Sequence, residues 1–298
     1  MSDYARNKRG VLYLLFAMAV FVINDMAVKM AAASMPPGQM MFVRSLFAVP
    51  MVFALIVASG ETKKLHFLLD RLVLFRALFE MIVAIMFISA LAHLPLADIT
   101  AILQSTPILI TLIVAMFGIE RIDARGWLAV IIGFVGVILV SKPTGGGDWT
   151  YALVAFGSAI FVSIRDLLTR RLPAQVPSMV VTQGTTLSVV VGGLLLAPFE
   201  TWVMPSASSF GLLVVAAFFV TLGNVYVIKA YRTANVAILS PFRYAVIFFA
   251  VVLGFIAFGE IPDWLTVSGS ALIIAAGLYT ILHERRRIRA LNAPATEP

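Results

Sequence analysis

The chain has 298 residues, 61% of them hydrophobic and 12% charged, where a soluble domain carries about 25% charged residues. It has no cysteine, which excludes disulfides and thiolate metal sites. Its formal charge of +7 would suggest nucleic acid in a soluble protein. In a chain this apolar it reads as loop cations that orient helices, and nucleic acid is not an expected partner.

Apolar stretches of roughly 20 residues recur along the whole length, each enough to cross a hydrocarbon core of about 30 Å. Their spacing predicts ten helices, over 10–33, 38–58, 68–91, 95–117, 126–141, 150–171, 178–198, 209–231, 235–258 and 264–283. Turn residues separate them: Pro36 to Gly38, Ser59-Gly60, Pro95, Pro143 ahead of Gly145 to Gly147, Pro173 and Pro177, Pro198, Pro205 and Pro262. The first segment, with Arg6, Lys8 and Arg9 before it and Ala31 to Ala33 after it, has the outline of a secretory signal. Its length, Asp25, Lys29 and a repeat partner at 150–171 argue for a membrane span instead. Trp127, Trp149, Trp202 and Trp264 fall at helix ends or in loops, as an interfacial belt does. Small residues four apart, Ala129 with Gly133 and Ala271 with Ala275, predict close helix packing.

Loop charge sets orientation. Alternate connections hold Arg6, Lys8, Arg9; Lys63, Lys64, Arg71; Arg121, Arg125; Arg170, Arg171; Lys229, Arg232; and Arg285, Arg286, Arg287, Arg289. The other set holds Lys142 alone among cations, with Asp148, Glu200, Glu260 and Asp263. Cytoplasmic loops collect Lys and Arg, so both termini are expected in the cytoplasm, as an even helix count also requires.

The chain repeats itself at an offset of 140–141 residues. Ala97-Asp98-Ile99-Thr100 corresponds to Ala237-Ile238-Leu239-Ser240, Glu120 to Glu260, and the pair Asp25/Lys29 to Asp166/Arg170. Five crossings per copy put the copies in opposite orientations. The expected fold is therefore all-α and integral to the membrane, ten helices as two inverted five-helix repeats. The repeats cover 10–143 and 149–283, with a cytoplasmic tail at 1–9 and a basic one at 284–298. Inverted repeats that rock around a shared midplane site are a transporter signature.

A charge at the centre of a membrane helix costs about 2.5–3.5 kcal/mol on insertion scales, so each must face protein or water. Asp25, Lys29, Arg44 and Asp98 fall in the outer third of the bilayer, and Arg76, Arg165, Asp166, Arg170 and Arg243 in the inner third. Glu80, Gln104, Ser105, Thr106, Thr221 and Asn224 lie nearest the midplane. Asp25/Lys29 and Asp166/Arg170 have the i, i+4 spacing that shares a helix face. Two readings stand: buried pairs that neutralise each other, or two gates whose ion pairs break in turn. Pro107 and Pro241 interrupt the corresponding fourth and ninth helices, and interrupted helices in matching places point to a binding site. The alternative is a packing kink.

No Walker-type phosphate loop, H-E-x-x-H or G-x-S-x-G motif occurs, and His66, His93 and His283 lie on separate connections. An enzyme is not expected, and no cofactor or metal is implied.

The two repeats, each with a Gly-Glu or near Gly-Glu step (Gly118-Ile119-Glu120 and Gly259-Glu260) before an Ala/Gly-rich last helix, resemble the EamA-type drug/metabolite transporters over residues 10–283. The resemblance implies a central cavity lined by the first, third, fourth, sixth, eighth and ninth helices. It also implies export of amino acids or other small metabolites, with exporters of aromatic and other neutral amino acids among the members. The chain departs from the pattern at Ile119, and at Ile247, which stands opposite Pro107.

The expectation is an inner-membrane secondary carrier, a single chain in lipid, exporting small organic solutes by alternating access. Glu80, Gln104, Asn224 and Tyr244 are the expected polar substrate contacts, with Phe79 and Phe242 as walls. Asp25, Lys29, Arg44, Arg165, Asp166, Arg170 and Arg243 are the expected gating residues. Glu80 is also the candidate for proton coupling, since burial lets a carboxyl exchange protons near neutral pH; its rival role is a salt bridge to Arg76. A passive channel, a membrane sensor, and a nucleotide-sugar or lipid-type carrier using Arg76, Arg165 and Arg243 stay open.

Overall fold

The computed structural model describes residues 3–118, 123–142, 149–234 and 236–291. Glu120, Arg121 and the glycines of 145–147 lie outside them. Among the described residues, ten helical spans are long and apolar enough to cross a membrane. The first copy consists of α1 (Asp3–Ala31), α2 (Pro37–Ala58), α3 (Arg71–Leu91), a fourth span made of α4 (Leu96–Leu103) and α5 (Thr106–Met116), and α6 (Ala124–Ser141). The second consists of α7 (Trp149–Arg170), α8 (Ser178–Leu196), α9 (Ala207–Thr233), a ninth span made of α10 (Val236–Leu239), a 3-10 turn (Ser240–Tyr244) and α11 (Ala245–Phe258), and α12 (Trp264–Leu291). The helix that opens at Asp3 runs through most of the expected N-terminal tail, and α12 continues past residue 283.

Helical periodicity divides each span into a packed face and a lipid face. On α6, Leu128, Ile131, Val135 and Ile138 are exposed while Ala129, Val130, Val137 and Val140 are buried. The exposed set recurs at three- and four-residue steps, a stripe that only lipid can cover. The close contact between α6 and α12 is made by Gly136 and Gly269. A Cβ on either would stand 2.7 or 2.6 Å from the other's carbonyl oxygen, so bare backbone lets the helices touch. Ala271 and Ala275, expected to do this, point outward.

The two copies interleave. α1 packs most extensively on α9 of the other copy, and α3 packs on α7 in the equivalent way. The second helices α2 and α8 pair with each other, as do the last helices α6 and α12. Contacts between helices of one copy are sparse by comparison. The copies are therefore not two separately packed bodies: these helix pairs each join one copy to the other.

Both interrupted spans break as their prolines require. Pro107 has no N–H and its ring excludes the carbonyl of Leu103; α4 ends there, and α5 restarts with Pro107 in its first turn. The released carbonyls are taken by hydroxyls, Ser105 Oγ to Ile102 O at 2.7 Å and Thr106 Oγ1 to Leu103 O at 2.6 Å. Pro241 sits in the 3-10 turn that divides α10 from α11. Gln104 in the first break and Tyr244 in the second are 140 residues apart (244 minus 104), so the breaks correspond although the prolines do not.

Acidic side chains close helix ends, two of them across the copies. Glu200 accepts from Gly38 N at 2.9 Å and from Gln39 N at 3.3 Å, capping α2. Glu260 Oε2 accepts from Leu96 N at 2.8 Å, capping α4. Asp263 caps α12 through Thr266 N at 2.9 Å, and that N–H holds the Asp263 carboxyl below the usual carboxylate range.

Filling the contact between α6 and α12 tests this packing. Gly269→Leu should destabilise by about 1–3 kcal/mol, the usual cost of overpacking, and lower the melting temperature in detergent. Ala271→Leu, two residues away on the outer face, should leave it unchanged.

Candidate functional site

The polar residues inside the spans fall into two corresponding groups. The group nearer the face that carries both helix ends, α1 at Asp3 and α12 beyond His283, is centred on Arg165 of α7. Arg165 Nη1 donates to Glu80 Oε2 at 2.8 Å, and its Nη2 and Nε donate to Asp166 Oδ1 at 2.7 and 3.0 Å. Arg76, one turn before Glu80 on α3, stands 3.9 Å from Glu80 Oε2. It donates to Thr169 Oγ1 at 3.0 Å and to Thr185 of α8. Two arginines and two carboxylates make the group neutral, as the cost of lone charge in hydrocarbon demands. Asp166 is thus bonded to Arg165 rather than to Arg170, which is exposed at the end of α7.

The corresponding group in the first copy holds Asn24, Asp25 and Arg44. Asn24 Nδ2 donates to Asp25 Oδ1 at 2.8 Å, and Arg44 Nη1 to Asn24 Oδ1 at 3.4 Å. Lys29 is not bonded to Asp25 one turn away. Its ammonium makes an ion pair with Glu260 and donates to Leu94 O.

The pair with Glu260 belongs to a latch at the opposite face. Lys142 Nζ lies 3.2 Å from Asp98 Oδ2 and 3.2 Å from Asp263 Oδ2, and Thr266 Oγ1 donates to Asp98 Oδ1 at 2.9 Å. A cavity of about 110 Å³ lies against it, lined by Pro95, Asp98, Lys142, Val251, Glu260 and Pro262 among others. The second-copy loop that carries Glu260 and Asp263 is tied by this latch to α1, α4 and the end of α6. Sequence reasoning singled out Lys142, Asp98 and Glu260 separately, by loop charge, depth and repeat, without joining them. The signal that could have joined them is that one loop set holds a single cation and four acids.

Between the two groups the broken spans meet. Gln104 Nε2 donates to the carbonyl oxygen of Arg243 at 3.4 Å, so one break contacts the other. The Arg243 side chain is exposed and lies within electrostatic range of Asp166, beyond ion-pair distance. Arg44 in turn lies within range of both Asp25 and Glu80, so the groups form one polar column. Phe79 lies beside Phe161 in a tilted pair with ring centroids 5.9 Å apart, and Phe242 is exposed.

Two expected substrate contacts do not join this set. Tyr244 is buried with its ring against α12, where a Cβ at Gly277 would fall on the hydroxyl, and its Oη has no hydrogen-bond partner. Asn224 turns its amide back onto its own helix, Nδ2 donating to Val220 O at 2.9 Å. Glu80 is committed to Arg165 and Arg76, as the salt-bridge alternative requires.

A ten-span apolar bundle of two inverted copies, broken where its central polar column lies, is a membrane carrier fold. Comparison with known proteins agrees. The EamA-like transporter family matches residues 8–142 and 149–282, and the chain belongs to that family. It is similar to a pseudopaline exporter of Pseudomonas aeruginosa, 26% identical over 280 residues covering 90% of this chain and 94% of the relative. A riboflavin transporter of Vibrio cholerae is 23% identical over 94% of this chain and 95% of its own length. An S-adenosylmethionine uptake transporter of Rickettsia prowazekii is 22% identical over 93% and 94%. One solved crystal structure matches over 96% of this chain and 99% of its own with a TM-score of 0.65 at 20% identity, which shows a shared fold. The chain is a multi-pass membrane transporter of small metabolites and not an enzyme.

Removing one partner from a buried charge group costs about 3–5 kcal/mol. Arg165→Met, which strands both Glu80 and Asp166, should therefore lower the melting temperature in detergent more than Glu80→Gln or Asp166→Asn does.

Proposed function

We propose that the protein exports small zwitterionic metabolites, amino acids of the neutral or aromatic kind, by alternating access around the meeting point of its two broken spans. The observation that carries this reading is the contact of Gln104 with Arg243 beside the Glu80–Arg165–Asp166 group. Arg243, with no carboxylate at ion-pair distance, would take a substrate carboxylate. Asp166 would take an ammonium group, and Phe79, Phe161 and Phe242 would cover an apolar side chain. S-adenosylmethionine, named for one relative, carries the same α-amino-acid group. Export as the direction follows the relative named as an exporter.

The conformation supports a state closed at the face where Lys29–Glu260 and Lys142–Asp98–Asp263 tie the copies together. Opening that face requires these pairs to part, while the pairs around Arg165 hold or re-form. Because the copies interleave, the moving bodies would each combine helices of both. By loop charge, both termini lie in the cytoplasm and the protein spans a bacterial inner membrane.

Flux from loaded proteoliposomes, across amino acids, nucleosides, nucleotide sugars and cationic drugs, tests the reading. Saturable amino-acid flux is expected, falling about 10-fold or more in Arg243→Gln, as loss of one charge-assisted hydrogen bond predicts. Flux that never saturates would make the protein a channel, and binding without flux a sensor. Loss confined to phosphorylated solutes would favour a nucleotide-sugar carrier.

A further inference from the structure

Asp25 differs from the other carboxylates described within the spans. Glu80, Asp98 and Asp166 each have a cation within ion-pair distance. Asp25 has the Asn24 amide, which stands between it and the Arg44 guanidinium. An ionised carboxylate in that position is costly unless a cation or a proton joins it. On α1 itself the cation one turn along the same face is Lys29, and Glu260 holds it here.

We propose that Asp25 is a proton-binding site and that Asp25 and Glu260 compete for the single Lys29 ammonium, so that protonation of Asp25 closes the latch and its ionisation releases it. With a proton on Asp25, that carboxyl has no claim on Lys29, and Lys29 stays on Glu260 with the opposite face shut. When the proton leaves, the Asp25 carboxylate draws Lys29 back one turn, Glu260 loses its partner, and the face, left to the Lys142–Asp98–Asp263 contacts with Asp263 half exposed, opens. A proton taken up from the open side would then reset the latch, which couples a proton to each cycle.

The other groups around Asp25 do not supply a rival. Arg44 of α2 acts on Asp25 across the Asn24 amide but is bonded to Asn24 Oδ1 and forms no ion pair with Asp25. Glu80 and Arg76 of α3 are bonded into the Arg165 group. Facing α1, α9 contributes Thr221 and Asn224, with Lys229 and Arg232 only near its far end, and α10 and α11 have no ionisable side chain. Arg243 of the 3-10 turn lies on the Asp166 side. This assignment moves the proton-coupling role from Glu80 to Asp25. It rests on the alternating-access reading.

The chain has no cysteine, so spin labels can be placed at Met204→Cys and Ile261→Cys alone, two positions 95% and 77% exposed. In lipid nanodiscs the distance between them should shift from a short to a long population between pH 5.5 and pH 8.5. Adding Asp25→Asn should hold the short population at both values, Asp25→Glu should restore the shift, and Glu260→Gln should give the long population throughout. A pH shift that survives Asp25→Asn, or none in the unsubstituted background while Glu260→Gln still opens the face, overturns the competition alone. A short distance in every variant, Glu260→Gln included, overturns the opening of this face and the competition with it.

Discussion

Hydrocarbon accepts neither a lone charge nor an open backbone group, and this chain meets both demands mostly by borrowing from its other copy. Glu80 of the first copy is neutralised by Arg165 of the second, and Lys29 of the first by Glu260 of the second. The first turns of α2 and α4 are closed by Glu200 and Glu260. Interleaved packing is the same dependence seen in apolar contacts, α1 on α9 and α3 on α7. Asp25, bonded to the Asn24 amide and to no cation at ion-pair distance among the described residues, differs from all of these pairs, and the proposed switch rests on that difference.

The broken spans solve the same problem at the midplane. A proline inside a membrane helix frees carbonyls that lipid cannot hydrate. Here Ser105 and Thr106 cap the carbonyls beside Pro107, and the other break offers the Arg243 carbonyl to Gln104. Polarity is thereby delivered to the centre of the bilayer with carbonyls of both breaks hydrogen-bonded. The arrangement gives a solute something to bind while leaving the outer surface of the bundle apolar.

The ten spans, their punctuation and the duplication were legible in the sequence because length, apolarity and repetition can be read along the chain, whereas the interleaving of the copies could not. Both breaks followed from Pro107 and Pro241 for the same reason. Partners were not legible. The i, i+4 rule put Asp25 and Lys29 on one face correctly, yet could not say that the flexible Lys29 stem would reach Glu260, 231 residues away. Tyr244 was marked by its place in a break, but its direction is set by the space that Gly277 leaves on α12. The small-residue rule found the right helix in α12 and the wrong face, since Gly269 and not Ala271 meets α6.

The caps on α2 and α4 come from residues 162 and 164 positions further along the chain. During synthesis, therefore, both helices are inserted long before their caps exist. Their first amide groups must rest among lipid headgroups and water until the ribosome has made the second copy. Assembly of the first copy is in that sense completed from the far end, and closure of the face bearing Lys29 and Lys142 waits until the last loop has emerged.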